Sequence, residues 1–171
     1  MAKYVTEVLK EINDNPSLLQ TTYKKNEDLQ GSPLHVIFWC AFTAAGKFRL
    51  PDGTPPFKEA AEPLGMTPAR FISETKKFQN FCREDISAVR RETMFIQLLE
   101  GLHPDECKIL IAIKDQKLTD LYPNITRQAV ADAGYIPQLS KDELKAEEVE
   151  VKKSAGSRGR PRKSQSPRVV L

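Results

Sequence analysis

Ser32-Pro33-Leu34-His35-Val36-Ile37-Phe38-Trp39-Cys40-Ala41-Phe42-Thr43-Ala44-Ala45-Gly46 is the stretch on which the fold turns. Ser32 is a strong helix N-cap and Pro33 suits the first helical position, where its missing N–H is not needed. Apolar residues then cover nearly all sides until Gly46, which reads as a central buried helix. A buried strand over Val36 to Phe42 also fits, because a short apolar run has no decisive period.

The neighbouring segments favour the helix. Upstream, Tyr4, Val5, Val8, Leu9 and Ile12 share one helical face, with Lys3, Glu7, Lys10 and Glu11 outside it. Asn13-Asp14-Asn15-Pro16 stops that helix. A second, short helix is expected from Ser17 to Asn26, with Leu18, Leu19 and Tyr23 as its contacts. Downstream, five residues of Leu50 to Pro63 are Pro51, Gly53, Pro55, Pro56 and Pro63, and no regular element survives that density of breakers. Phe48, Leu50 and Phe57 are expected to pin this loop onto the body.

Thr67-Pro68 repeats the cap-plus-proline signal and opens a helix carrying Phe71, Ile72, Thr75, Phe78, Phe81 and Cys82. After a break at Arg83 to Asp85, a further helix turns Ile86, Val89, Met94, Phe95, Leu98 and Leu99 inward. His103-Pro104-Asp105-Glu106 begins another, its two carboxylates complementing the N-terminal dipole, with Leu110, Ile111 and Ile113 buried. A turn at Leu118 to Tyr122 precedes a last helix, capped by Asn124 or Thr126 and ended by Gly134.

The expected fold is therefore all-α. Residues 1–137 form a compact multi-helix single domain with a long proline-rich loop, large enough for one core. Residues 138–153 form a charged linker that could be a loose helix. Residues 154–171 lack aromatics, are rich in Gly, Ser, Pro and Arg, and are expected to be a disordered basic tail.

Charge divides the chain in the same place. Lys152, Lys153, Arg158, Arg160, Arg162, Lys163 and Arg168 give the last 21 residues a charge of +7, with no acidic residue among them. The chain total is +3, so residues 1–150 carry −4. That asymmetry directs a polyanionic partner to the tail rather than to the body. The cysteines Cys40, Cys82 and Cys107 are odd in number and form no CxxC, which suits reduced thiols in an intracellular protein. The longest apolar run, Val36 to Phe42, is too short to span a membrane, and no secretory signal is evident.

Candidates for chemistry are few. His103 and Cys107 are four residues apart, a usable ligand spacing, but nothing supplies a second pair, so no metal is expected. No glycine-rich nucleophile turn, P-loop or GxGxxG occurs, and the chain reads as non-enzymatic and without a cofactor. Glu84, Asp85, Asp105 and Glu106 fall at helix ends, where they serve as caps. Lys24, Lys25, Lys47, Arg49 and Lys58, near the aromatic residues Tyr23, Phe48 and Phe57, could bind single-stranded nucleic acid. The competing and stronger reading is a solvated surface whose aromatics tie down the loop.

The tail holds the sharpest motif, Ser157-Arg158-Gly159-Arg160-Pro161-Arg162-Lys163-Ser164. Gly159 lets the backbone approach a surface closely, and Pro161 pushes Arg160 towards an extended conformation. Two extended arginines flanking a thin backbone suit the narrow, negative minor groove of A·T-rich DNA. The stretch resembles the AT-hook. The resemblance implies that Arg158, Gly159, Arg160 and Pro161 enter the groove and that Arg162 and Lys163 contact phosphates.

Four phrases of the body carry a second resemblance: Asn15-Pro16-Ser17-Leu18-Leu19-Gln20-Thr21-Thr22-Tyr23, Leu50-Pro51-Asp52-Gly53-Thr54-Pro55-Pro56-Phe57, Phe95-Ile96-Gln97-Leu98-Leu99-Glu100 and Ile113-Lys114-Asp115-Gln116. Together they resemble a group of small proteins of T4-like tailed bacteriophages. That resemblance brings no catalytic residues. It implies expression in a bacterial host's cytoplasm, with phage or host DNA as the polyanion and a phage or host protein as a further partner; in a eukaryotic setting the basic tail would instead direct the protein to the nucleus.

Overall fold

The computed structural model describes residues 3–21 and 32–138. Every element below belongs to the compact unit Met1–Pro137. Among the described residues all regular structure is helical: α1 (Val5–Asp14), α2 (Leu18–Thr21), α3 (Pro33–Phe42), α4 (Phe71–Glu74), a 3₁₀ turn (Thr75–Lys77), α5 (Phe78–Cys82), α6 (Ala88–Gly101), α7 (Pro104–Lys114), α8 (Leu118–Leu121) and α9 (Arg127–Asp132).

The opening stretch is a helix, not a strand. Ser32 Oγ accepts the His35 N–H at 3.2 Å, and Pro33 takes the first position. Its C-terminal carbonyls, which a helix leaves without internal partners, are met by side chains from far along the chain. Gln116 Nε2 donates to Cys40 O (3.3 Å) and Thr43 O (2.7 Å), and the Arg127 guanidinium donates to Phe42 O. Gln116 has φ 54° because it occupies the left-handed position just past the C-cap of α7, where the Lys117 N–H bonds Ala112 O at 2.8 Å and the Gln116 N–H bonds Ile113 O at 3.1 Å. Helix α3 packs on α7 and on the 3₁₀ turn, and α7 in turn packs on α1 and α8.

Helix α1 buries Val5, Val8, Leu9 and Ile12, the face predicted for it, and ends at Asp14. Asn13 then clasps the far end of the domain. Its Oδ1 accepts the Asn124 N–H at 3.0 Å, and Asn124 Nδ2 donates to Asn13 O at 2.8 Å. The short second helix is formed over Leu18–Thr21; Tyr23 and the rest of its expected span lie outside the described residues.

A cluster of phenylalanines forms the other half of the core. Phe48 meets Phe78, Phe81 and Phe95 with ring centroids 5.5, 5.1 and 6.2 Å apart, and Phe71 meets Phe78 at 5.6 Å. Phe48 is buried and Phe57 half-buried, so the loop is pinned as expected, and Phe48 is not an exposed platform for stacking bases.

Three local expectations need correction. The helix after the proline-rich loop begins at Phe71, not at Thr67-Pro68. Thr67 Oγ1 donates to Ala69 O instead of capping, and the Ala69 N–H is taken by Gly101 O at 2.9 Å, so the chain is fastened to the end of α6 before it can coil. Val89 is 75% exposed and Ile72 36% exposed, although both were expected inside. The inward face of α6 runs through Arg91, Phe95, Leu98 and Leu99, spaced four, three and one, and Val89 is out of phase with it. Glu84 and Asp85 pair with Arg49 and Arg83 rather than capping; Ser87 Oγ caps α6 by accepting the Arg90 N–H at 3.4 Å.

Candidate functional site

Residues 50–56 arch over α6 and the end of α7 and leave a cleft of about 280 Å³ beneath them. Its apolar side comes from Leu50, Pro51, Pro55, Pro56, Phe95 and Ile96, and Asp52, Glu92 and Lys114 supply the charge. Proline density explains the arch. With few N–H donors and fixed φ angles, this segment cannot coil, and it is fastened by side chains of the body rather than by bonds of its own.

Lys114 does most of that. Only 2% of it is exposed. Its Nζ donates to Pro51 O at 2.7 Å and pairs with the Asp115 carboxylate, whose other oxygen accepts the Gly53 N–H at 3.3 Å. Gly53 has φ 89°, which permits that approach. Farther along, the Lys58 N–H reaches Glu100 Oε1 at 3.4 Å. One buried ammonium–carboxylate pair thus holds the crown of the loop. The cleft can take an apolar group with polar partners at its rim, but no side chains converge in it as nucleophile, base and orienting group.

The remaining sequence candidates fall apart in space. His103 Nδ1 accepts the Asp105 N–H at 3.2 Å, which makes His103 the N-cap of α7. Cys107 is buried and its Sγ donates to Leu99 O at 3.1 Å; burial pushes its thiol up to about 12. The two share a helix start without forming a ligand pair. His35 stacks on Trp39 with centroids 6.1 Å apart, and burial lowers its pKa. Among the described residues no group of three or more His, Cys, Asp or Glu side chains could hold a metal ion, and no helix is long and apolar enough to cross a membrane.

Of the basic–aromatic patch, Phe48 is in the core and Arg49 is tied to Cys82 O (3.2 Å) and Glu84; Tyr23, Lys24 and Lys25 lie outside the described residues. So do Arg158, Gly159, Arg160, Pro161, Arg162 and Lys163.

Two buried cations had no place in the sequence reading. Arg91 donates to Arg49 O (2.8 Å), Arg83 O (2.7 Å) and Ile86 O (2.7 Å), so it organises the bend between α5 and α6. Lys114 is the other. Their signal was phase: Arg91 is four residues before Phe95, and Lys114 is four after Leu110, so each continues an apolar face.

A helical domain with a loop-covered cleft, its internal cations bound to backbone carbonyls, is the class that these observations define. The chain belongs to a family of unknown function, DUF6433, which matches residues 8–120. The match takes in most of α1, all of α2 to α7, the arch and its cleft, and ends before residues 158–163. Comparison with curated proteins and with solved structures gave no match.

Proposed function

We propose that the protein is a non-enzymatic DNA-binding accessory protein. Its tail contacts the minor groove of A·T-rich DNA through Arg158-Gly159-Arg160-Pro161, with Arg162 and Lys163 on phosphates, and its helical body mediates partner contact or oligomerisation. The carrying observation is that motif within a +7 segment, while residues 1–150 together carry −4. The body adds indirect support: Arg91, Lys114 and Arg127 are spent on carbonyls and are not offered to a polyanion. The resemblance to proteins of T4-like phages makes phage or host DNA in a bacterial cytoplasm the expected target.

One hook gives few contacts, so binding should be weak and salt-sensitive. With roughly four phosphates neutralised, a threefold rise in salt should weaken binding about 50-fold. Full-length protein and a chain ending at residue 150 are to be compared on A·T-rich and G·C-rich duplexes at two salt concentrations. Loss of A·T-selective binding in the shorter chain is expected; equal binding by both chains would refute the proposal.

A second reading, favoured by the cleft under residues 50–56, is an adaptor of phage or host machinery whose tail is a non-specific polyanion-binding arm. Pull-downs with and without nuclease separate the two, because an adaptor keeps its partners after nuclease treatment.

A further inference from the structure

The cleft beneath residues 50–56 is held open by fixed walls. Phe95 in its floor is 2% exposed and is locked by Phe48 and Phe81, whose ring centroids lie 6.2 and 5.4 Å away. The roof is fastened at its crown, where Lys114 holds the Pro51 carbonyl and Asp115 holds the Gly53 N–H. With Pro51, Pro55 and Pro56 in that roof, few backbone rotations remain by which the arch could close the gap. The space is therefore largely preformed, and at about 280 Å³ it lies at the small end of ligand sites.

Three kinds of group line it. Leu50, Pro55 and Ile96 are apolar and only half-buried, so that wall still meets water. Asp52 and Glu92 are exposed carboxylates, and no ion pair among the described residues includes either. Glu92 precedes Phe95 and Ile96 by three and four positions on α6, so it stands on the same face, one turn along. Lys114 is the third kind. It is 2% exposed, and its ammonium has three N–H groups, of which two go to Pro51 O and Asp115 Oδ1. The third has no acceptor among the described residues, and a buried donor left without one is costly.

Each kind of group asks for a different complement. We propose that the cleft binds a small free amine of the amino-acid-amide type. Its ammonium meets Asp52 and Glu92, its apolar side chain covers Leu50, Phe95 and Ile96, and its carbonyl oxygen accepts the third N–H of Lys114. Anions are selected against, because Asp115 neutralises Lys114 and the unpaired charges of the cleft are both negative. The site draws on residues 50–114 alone and does not depend on the tail.

The test is a titration of the full-length, isotope-labelled chain with L-leucinamide, followed by amide chemical shifts. For a ligand of about nine non-hydrogen atoms, a dissociation constant on the order of 1 mM is expected. The shifts should saturate and centre on residues 52–54 and 92–96. N-acetyl-leucinamide lacks the cation and should bind about tenfold more weakly; isoamylamine lacks the carbonyl and should bind about fivefold more weakly. In the Glu92→Gln chain the advantage of leucinamide over its N-acetyl form should shrink to about threefold, because Asp52 alone remains. An amide spectrum unchanged away from the cleft checks that this variant is folded, and the wild-type ligand series stands without it. Equal affinity for leucinamide and either analogue, an unchanged ratio in Glu92→Gln, or shifts that do not saturate or centre elsewhere would each overturn the proposal.

Discussion

Replacing Phe48 by alanine separates the structural account from the nucleic-acid-patch reading of the same residues. Phe48 is 1% exposed and touches three other rings. Loss of its transfer free energy together with the cavity left behind costs about 3–5 kcal/mol for a buried phenylalanine. Domains of this kind have a total stability of about 5–15 kcal/mol, so the loss is a large fraction of it. At roughly 3–5 °C per kcal/mol for a domain of this size, the melting temperature should fall by about 10–20 °C. The backbone bond from the Arg49 N–H to Phe81 O, 2.9 Å long, is untouched, so the effect reports the side chain. Thermal melts by circular dichroism give the shift, with Phe48→Leu as a near-isosteric control and Lys47→Ala as a surface control expected within about 0.5 kcal/mol. A Phe48→Ala protein that melts within about 2 °C of wild type while losing affinity for single-stranded oligonucleotides would refute the packing account.

Arg91→Lys keeps the charge but loses the planar fork that spans three carbonyls; urea unfolding should show a loss of about 2–3 kcal/mol, and an unchanged midpoint would exclude this role. Lys114→Met leaves the Asp115 carboxylate and Pro51 O without their shared partner; a loss of about 3 kcal/mol is expected, with faster amide exchange at residues 52–54 than in α6. Glu106 is 3% exposed, and burial raises its carboxyl pKa, partly offset by a hydrogen bond from the His103 backbone and by His103 and Arg70 charge. The folded state therefore holds that proton more tightly than the unfolded chain. The group's contribution to stability is present below pH 4.5 and is lost as pH rises through its raised folded value. Melting of wild type against Glu106→Gln from pH 4 to 7 checks this, since the variant should lack that decline and gain on wild type as pH rises.

Helical periodicity made the fold class readable because the buried faces of α1 and α3 are apolar without exception. The apolar run alone does not distinguish a helix from a strand over Val36 to Phe42; the structure makes it a helix, with Ser32 as its N-cap and Pro33 as its first residue. Where the account failed, a longer-range partner had outcompeted a local signal. Thr67-Pro68 looked like a helix start, but the bond between Ala69 and Gly101 delays coiling to Phe71. Val89 is hydrophobic but lies on the wrong side of the phase set by Phe95 and Leu98. The cleft was legible only as a proline-rich segment. Its floor depends on Lys114, a charged residue that no hydrophobicity pattern selects.

The clasp between Asn13 and Asn124 has a consequence for how the chain is made. Besides α2, which follows directly, α1 packs on α7 and is clasped by the turn that holds Asn124, and these lie 90 to 111 residues downstream. At about 5–20 residues per second of synthesis, Val5, Val8, Leu9 and Ile12 wait roughly 5–20 s before α7 exists to cover them. The first helix translated is thus among the last to be secured, and for that interval its apolar stripe is what a chaperone or a neighbouring nascent chain would meet.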